Sequence, residues 1–218
     1  AIAFEKEMIK IGQVTGRSMQ SLQELTRAIS KLSVGLGVSS ASLVKVSRVL
    51  AQTGMSAADV KVSLDALAKT TLAATFDDVT NTTETAIAAM RQFKIEASGL
   101  EGVLGSINAV AGQFAVEASD IGVAIRRAGG AFKSAGGELN ELIALFTAVR
   151  STTRETAETI ATGFRTIFTR MQRPRTIQFL KQFGVELQNL DGTFVGPFEA
   201  VKRLNAALID LDPKDVRY

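Results

Sequence analysis

Apolar residues return every three or four positions along most of the chain, and this spacing predicts a succession of amphipathic helices. Residues 2–33 read as helical, with Met19, Leu22, Leu25, Ile29 and Leu32 on one stripe. The part before the stripe is looser, because Gly12 and Gly16 each cost about 1 kcal/mol in a helix interior. Gly35 and Gly37 interrupt the pattern. Ser39 or Ser40 is placed to cap a helix carrying Leu43, Val46, Val49 and Leu50, and Gly54 suits the left-handed residue that closes it. Ser56, with Asp59 three residues on, opens a helix whose stripe is Val60, Leu64, Leu67 and Leu72. Asp77 or Asp78 starts the next, in which Ile87, Met90 and Phe93 restore helical spacing after a Thr- and Asn-rich run.

The second half continues in the same way. After Ser98-Gly99 comes a stripe of Leu100, Val103, Leu104, Ile107, Val110, Ala111 and Phe114. Ser119 caps a short helix with Ile121, Ala124, Ile125 and Ala128, and two glycine pairs, Gly129-Gly130 and Gly136-Gly137, bracket a brief AFKSA segment. Leu139, Leu142, Ile143, Phe146 and Val149 form one strong stripe; Ile160, Phe164, Ile167, Phe168 and Met171 form another. Pro174 ends that helix or starts a turn. Ile177, Phe179, Leu180 and Phe183 make a short amphipathic helix stopped by Gly184. Only residues 185–195, VELQNLDGTFV, alternate like strand around Asp191-Gly192, which predicts a β-hairpin. A last helix follows Pro197 with Phe198, Val201, Leu204 and Leu208. The expected fold class is all-α, with multiple amphipathic helices, glycine-rich turns and one short hairpin. An N-terminal helical segment, 1–97, precedes a core of helices and hairpin, 98–218. TTETA at 82–86 and TRETA at 153–157 are a weak internal echo.

Composition changes this picture in two ways. Aromatics are only 6% of the 218 residues and Trp is absent, while Ala, Ser, Thr and Gly are abundant. Small side chains bury little area each, at roughly 25 cal/mol per Å², so partners are expected to complete the core. There is also no cysteine and no histidine. Disulfides, thiolate chemistry, imidazole bases and ordinary zinc sites are thereby excluded, and no metal or cofactor is expected. No run of about 18 apolar residues exists to span a membrane. The chain opens AIAFEKE and closes LDPKDVRY, which reads as an excerpt of a longer polypeptide.

The net charge of +3 is unevenly placed. Residues 150–181 hold seven basic and two acidic side chains, so the rest of the chain sums to −2. Arg150, Arg154, Arg165, Arg170, Arg173 and Arg175 are the candidate polar contacts, with Lys181 beside them. Such a run is a solvated face, a contact for an acidic protein, or a track for phosphates. Phe164 and Phe168 fall on the apolar stripe and do not interleave with the arginines in the manner of a single-strand binder. Asp77-Asp78 and Glu155/Glu158 are carboxylate pairs without a nucleophile or a metal-ligand set. Asp191 and Asp212 are turn residues. No catalytic residue is expected. The glycine pairs follow no strand and precede no GK[ST], so they read as helix-hairpin turns and not phosphate loops. Leu100, Ile107, Phe114, Leu142, Phe146, Phe164 and Phe168 are the candidate residues for packing or self-association.

Several of these features, in this order, resemble the core region of the tail tape measure proteins of long-tailed bacteriophages. They are Ala118-Ser119-Asp120-Ile121, Gly136 to Leu139, Gly163-Phe164-Arg165 with Phe168, Phe183-Gly184-Val185 and Asp191-Gly192. The likeness covers about 100–210 well and 39–95 loosely. It implies a structural, multimeric helical protein in the virion, in the lumen of the tail tube or at the tail tip. Such a protein sets tail length, templates tube assembly and takes part in DNA ejection. Its implied partners are further copies of itself, most simply as a trimer, and tube and tip or baseplate proteins, with the host envelope and DNA as further contacts. Two other readings stand beside it. A membrane-active or envelope-penetrating helical module needs Lys and Arg on a polar face, whereas residues 100–116 are apolar but nearly uncharged. A cell-wall hydrolase domain lacks its catalytic groups here.

Overall fold

In the computed structural model, residues 2–16 and 18–209 are described. Eleven α-helices and one 3-10 turn account for their regular structure, with no β-strand among the described residues, so the fold is all-α. The chain divides into two compact units, 1–122 and 123–218. The boundary read from the sequence, 97/98, falls at the 3-10 turn Ala97–Gly99.

The first unit begins with α1 (Ile2–Thr15) and α2 (Met19–Leu36). The single helix expected over 2–33 is broken: Gly16 adopts a positive φ of 63°, and Ser18 caps α2 by accepting from the Ser21 amide at 3.2 Å. Gly35 stays helical, and Gly37, at φ 69°, is the terminator. The Met19 side chain lies outside the described residues. Next come α3 (Ser40–Gln52) and α4 (Ala57–Thr70). Gly54 takes φ 85° between them, as its position predicts. Ser56 accepts from the Asp59 amide at 3.1 Å and donates its hydroxyl to Asp59 Oδ2 at 2.6 Å, so the acidic cap forms. Leu72 does not continue the α4 stripe as its spacing predicts, because the helix has ended before it and the side chain is 63% exposed.

Asp78 caps α5 (Val79–Phe93) through the Thr80 amide at 2.8 Å. The Thr-rich start is helical, with the Thr82 and Thr83 hydroxyls donating back to the carbonyls of Asp78 and Val79 at 2.8 and 2.7 Å. After the 3-10 turn comes α6 (Leu100–Gln113). Helix α4 packs against α2, α3, α5 and α6, and its Val60, Leu64 and Leu67 are fully buried among Ile11, Ile29, Leu43, Leu50 and Leu100. Thus the apolar stripes of six helices close on one cluster.

α7 (Ala118–Ser134) carries the division point of the two units. Two expectations fail here. Ser119 lies inside the helix and not at its cap, and Gly129-Gly130 do not end it. The stripe Ile125, Ala128, Phe132 keeps its three- and four-residue steps across the glycines, and each of these side chains is buried. Helix formation here follows from that burial, since glycine alone disfavours it.

The second unit continues with α8 (Leu139–Thr153), α9 (Ala157–Met171), α10 (Pro174–Lys181) and α11 (Pro197–Ile209). Gly136, at φ 87°, makes the turn into α8, whose first turn is closed by a reciprocal box between Glu138 and Glu141. Phe132 meets Phe168 edge-on at 4.8 Å, and Phe168 meets Phe164 at 5.3 Å. Phe146, Leu142, Ile143 and Ile160 are buried in the same unit. Pro174 is the first residue of α10, where its missing N–H is no loss.

The expected hairpin is not present as strands. The chain does turn at Asp191-Gly192, where Asp191 accepts from the amide and hydroxyl of Thr193 at 3.0 and 2.6 Å. Pairing then stops at one isolated bridge, Gln188 with Phe194. Gly196, at φ 93°, and Pro197 turn the chain into α11 two residues later, leaving no length for a ladder. The TTETA echo also separates structurally: the first copy lies within α5, and the second spans the end of α8 and the start of α9.

Candidate partner-binding surface

Arginine and exposed phenylalanine come together at the end of α9 and along α10. Arg170 occupies the last turn of α9, Arg173 caps α10, and Arg175 is the second residue of α10. The turn between the helices is tight, with the Arg173 amide donating to the Arg170 carbonyl at 3.1 Å. Arg165, Arg170, Arg173 and Arg175 are exposed, and none has an ion pair among the described residues. Lys181, by contrast, is paired with Glu186 at 2.9 Å. Arg150 is half-buried in the last turn of α8, and Arg154 sits just past it with φ 60°. Both already have interaction partners in the chain. The six arginines of the sequence-derived set therefore divide into two engaged and four open.

Helix α10 buries Ile177 and turns Phe179 outward, 56% exposed, and Phe183, in the turn just after the helix, is 60% exposed. This corrects the stripe read from the sequence. Ile177 and Phe179 are two residues apart, about 200° round a helix, so one face cannot hold both. Arg175 and Phe179 instead lie four residues apart on the outer side of α10, and the Phe183 ring, in the turn after the helix, meets that of Phe179 with centroids 5.0 Å apart.

The candidate packing residues have separate fates. Leu100, Ile107, Leu142, Phe146 and Phe168 are buried. Phe164 is half-buried, and Phe114 lies beyond the end of α6, 52% exposed. Phe132, absent from the sequence-derived set, is among the largest fully buried side chains. Its spacing from Ile125 and Ala128 was the available signal.

Other features resolve as structure. Asp78 is a helix cap and Asp191 a turn residue whose carboxyl is held below its ordinary pKa chiefly by the Thr193 hydroxyl. Glu158 lies in the first turn of α9, where a carboxylate favours the dipole, and Glu155 precedes the Thr156 cap. Asp212 lies outside the described residues. An apolar groove of about 580 Å³ runs between α1 and α2, lined by Phe4, Met8, Ile9, Gly12 and Leu22. Among the described residues no group of three acidic, His or Cys side chains is placed to hold a metal. No helix among them is long and apolar enough to cross a membrane.

Fold and surface together define an all-α protein with an open basic and aromatic face. The model of the phage-related minor tail protein family matches residues 23–217, and the chain belongs to that family. It is a tail protein of the phage virion. No solved structure matches the chain.

Proposed function

We propose that the chain is part of a tape measure protein, a structural and non-enzymatic component that occupies the lumen of the tail tube or tip. In this role it sets tail length, templates the polymerisation of tube subunits and participates in DNA ejection. It does so as a homo-oligomer, most simply a trimer, in contact with tube and tip proteins. The observation that carries the reading is the family match over residues 23–217. The placement of the resembling motifs supports it. Ala118 to Ile121 open α7, Gly136 to Leu139 lead into α8, Gly163 to Phe168 lie in α9, and Phe183 to Val185 follow α10. The absence of Cys and His from the sequence is in keeping with a role in assembly and not in catalysis.

Within that role, helices of 8 to 18 residues are too short to run as one continuous helical ruler, and each unit is compact by itself. This part acts as a folded docking segment of the ruler. A stop codon placed ahead of this segment in the parent gene tests the reading by electron microscopy of lysates. Tubes of uncontrolled length, or no tubes, are expected. Infectious particles with tails of normal, uniform length would overturn it.

A further inference from the structure

The strongest unassigned feature is the outer side of α10 with the turn that precedes it. Residues 159–185 include five basic side chains and no acidic one. Lys181 is paired with Glu186 at 2.9 Å, whereas Arg165, Arg170, Arg173 and Arg175 have no ion pair among the described residues. On α9 itself the nearest acid before Arg170 is Glu158, roughly 18 Å away along the helix axis. Arg173 and Arg175 also stand at the positive end of the α10 dipole, where cations are disfavoured. The α10 dipole therefore does not favour the charges of Arg173 and Arg175. On α10 and in the turn just after it, two phenylalanines remain more than half exposed although Ile177 already anchors the helix. Arginine beside exposed aromatic rings is the composition of an interface centre and not of an idle surface.

We propose that Arg170, Arg173, Arg175, Phe179 and Phe183 form a docking surface for an acidic protein segment that also presents apolar side chains. The carboxylates would meet the three guanidiniums and the apolar groups would cover the two rings. This goes beyond the ruler reading and does not depend on it. A protein partner fits better than nucleic acid for two reasons. The rings lean on each other at 58° and offer no spaced platform for successive bases. Arg165 and Arg170 are five residues apart and diverge around α9, so they do not track one strand.

Fluorescence anisotropy with the 218-residue chain tests this, using three labelled probes at physiological salt. They are a helical peptide with a Glu face and a Leu face, the same peptide with Gln for Glu, and a single-stranded oligothymidine of equal length. The Glu peptide should bind at least tenfold more tightly than either other probe. R170Q/R173Q/R175Q and F179S/F183S should each weaken it at least tenfold, while K6Q/K31Q/K61Q on the first unit should not. All altered side chains are exposed, so thermal melts of the variants should match the parent. The proposal is overturned if the Glu peptide does not bind, if the variants bind it equally, or if the oligonucleotide binds more tightly. It is also overturned if F179S/F183S abolishes self-association seen by sedimentation without peptide, which would assign the surface to a second copy.

Discussion

Gly137 is the position where one added carbon should do most damage. A Cβ built there lies 2.2 Å from Cε1 and 2.4 Å from Cδ1 of Phe132, and 2.6 Å from Cγ of Pro197. Neither neighbour can yield cheaply. Phe132 is fully buried and held edge-on by Phe168, and Pro197 is a buried ring that starts α11. Gly137→Ala must move the ring out of its site or push α11 away, an overpacking cost of about 1–3 kcal/mol. Hydrogen exchange of the α8 and α9 core amides reads the stability of this unit directly. A double-mutant cycle with Phe132→Leu separates the causes. Leucine removes the ring atoms that clash, so the Gly137→Ala penalty should shrink by half or more in that background. A Gly137→Ala effect below about 0.5 kcal/mol, the scatter of neutral surface changes, would refute the packing described. An equal penalty in both backgrounds would refute the role of Phe132.

Three further outcomes follow from the same geometry. Gly102, Gly105 and Gly112 lie in α6 with open space where a Cβ would stand and no positive φ, so each Gly→Ala change should stabilise by about 0.5–1 kcal/mol; a fall in melting temperature would mean that another group occupies that side. Leu64→Ala, at a fully buried site, should cost about 2–5 kcal/mol by urea unfolding. The same change at exposed Leu72 should stay within about 0.5 kcal/mol, and equal costs would contradict the placement of α4. The Glu199 carboxyl is held below its ordinary pKa chiefly by the bond that Arg203 Nε donates at 2.9 Å. That pair contributes stability above the unfolded-state value of about 4.3 and loses it as pH falls through the lower folded value; Glu199→Gln should flatten the acid limb of a stability–pH curve slightly, and a steeper limb would contradict the bond.

Local chemistry made much of the fold legible in advance. Ser56 with Asp59, Asp78, Gly54 and Pro174 act in the structure as their types and positions imply. The misses have different causes: burial carries a helix through two glycines, and short arms leave a turn without a ladder. Gly129-Gly130 look like a break, yet Ile125, Ala128 and Phe132 continue their stripe across them and the helix persists. The Asp-Gly turn forms, but an isolated pair of short arms has no sheet to join, and pairing ends at one bridge. At the candidate surface, the basic run was visible in the sequence, whereas the division of its arginines into engaged and open was not. The engaged pair, Arg150 and Arg154, sits at the end of α8, and the open four lie on α9, on α10 and in the turn between them. The exposure of Phe179 and Phe183 was recoverable from the two-residue offset to Ile177.

Tail length after an in-frame deletion of residues 39–95 from the parent gene tests most directly whether this chain is folded within the tail. The deleted stretch holds α3, α4 and α5, the centre of the first unit. As extended helix it would measure roughly 85 Å. A folded docking segment predicts tails of unchanged length by electron microscopy, with assembly or DNA ejection impaired. Viable tails shortened by about 1.5 Å for each deleted residue would show instead that this stretch runs out as ruler, and would contradict the compact units described.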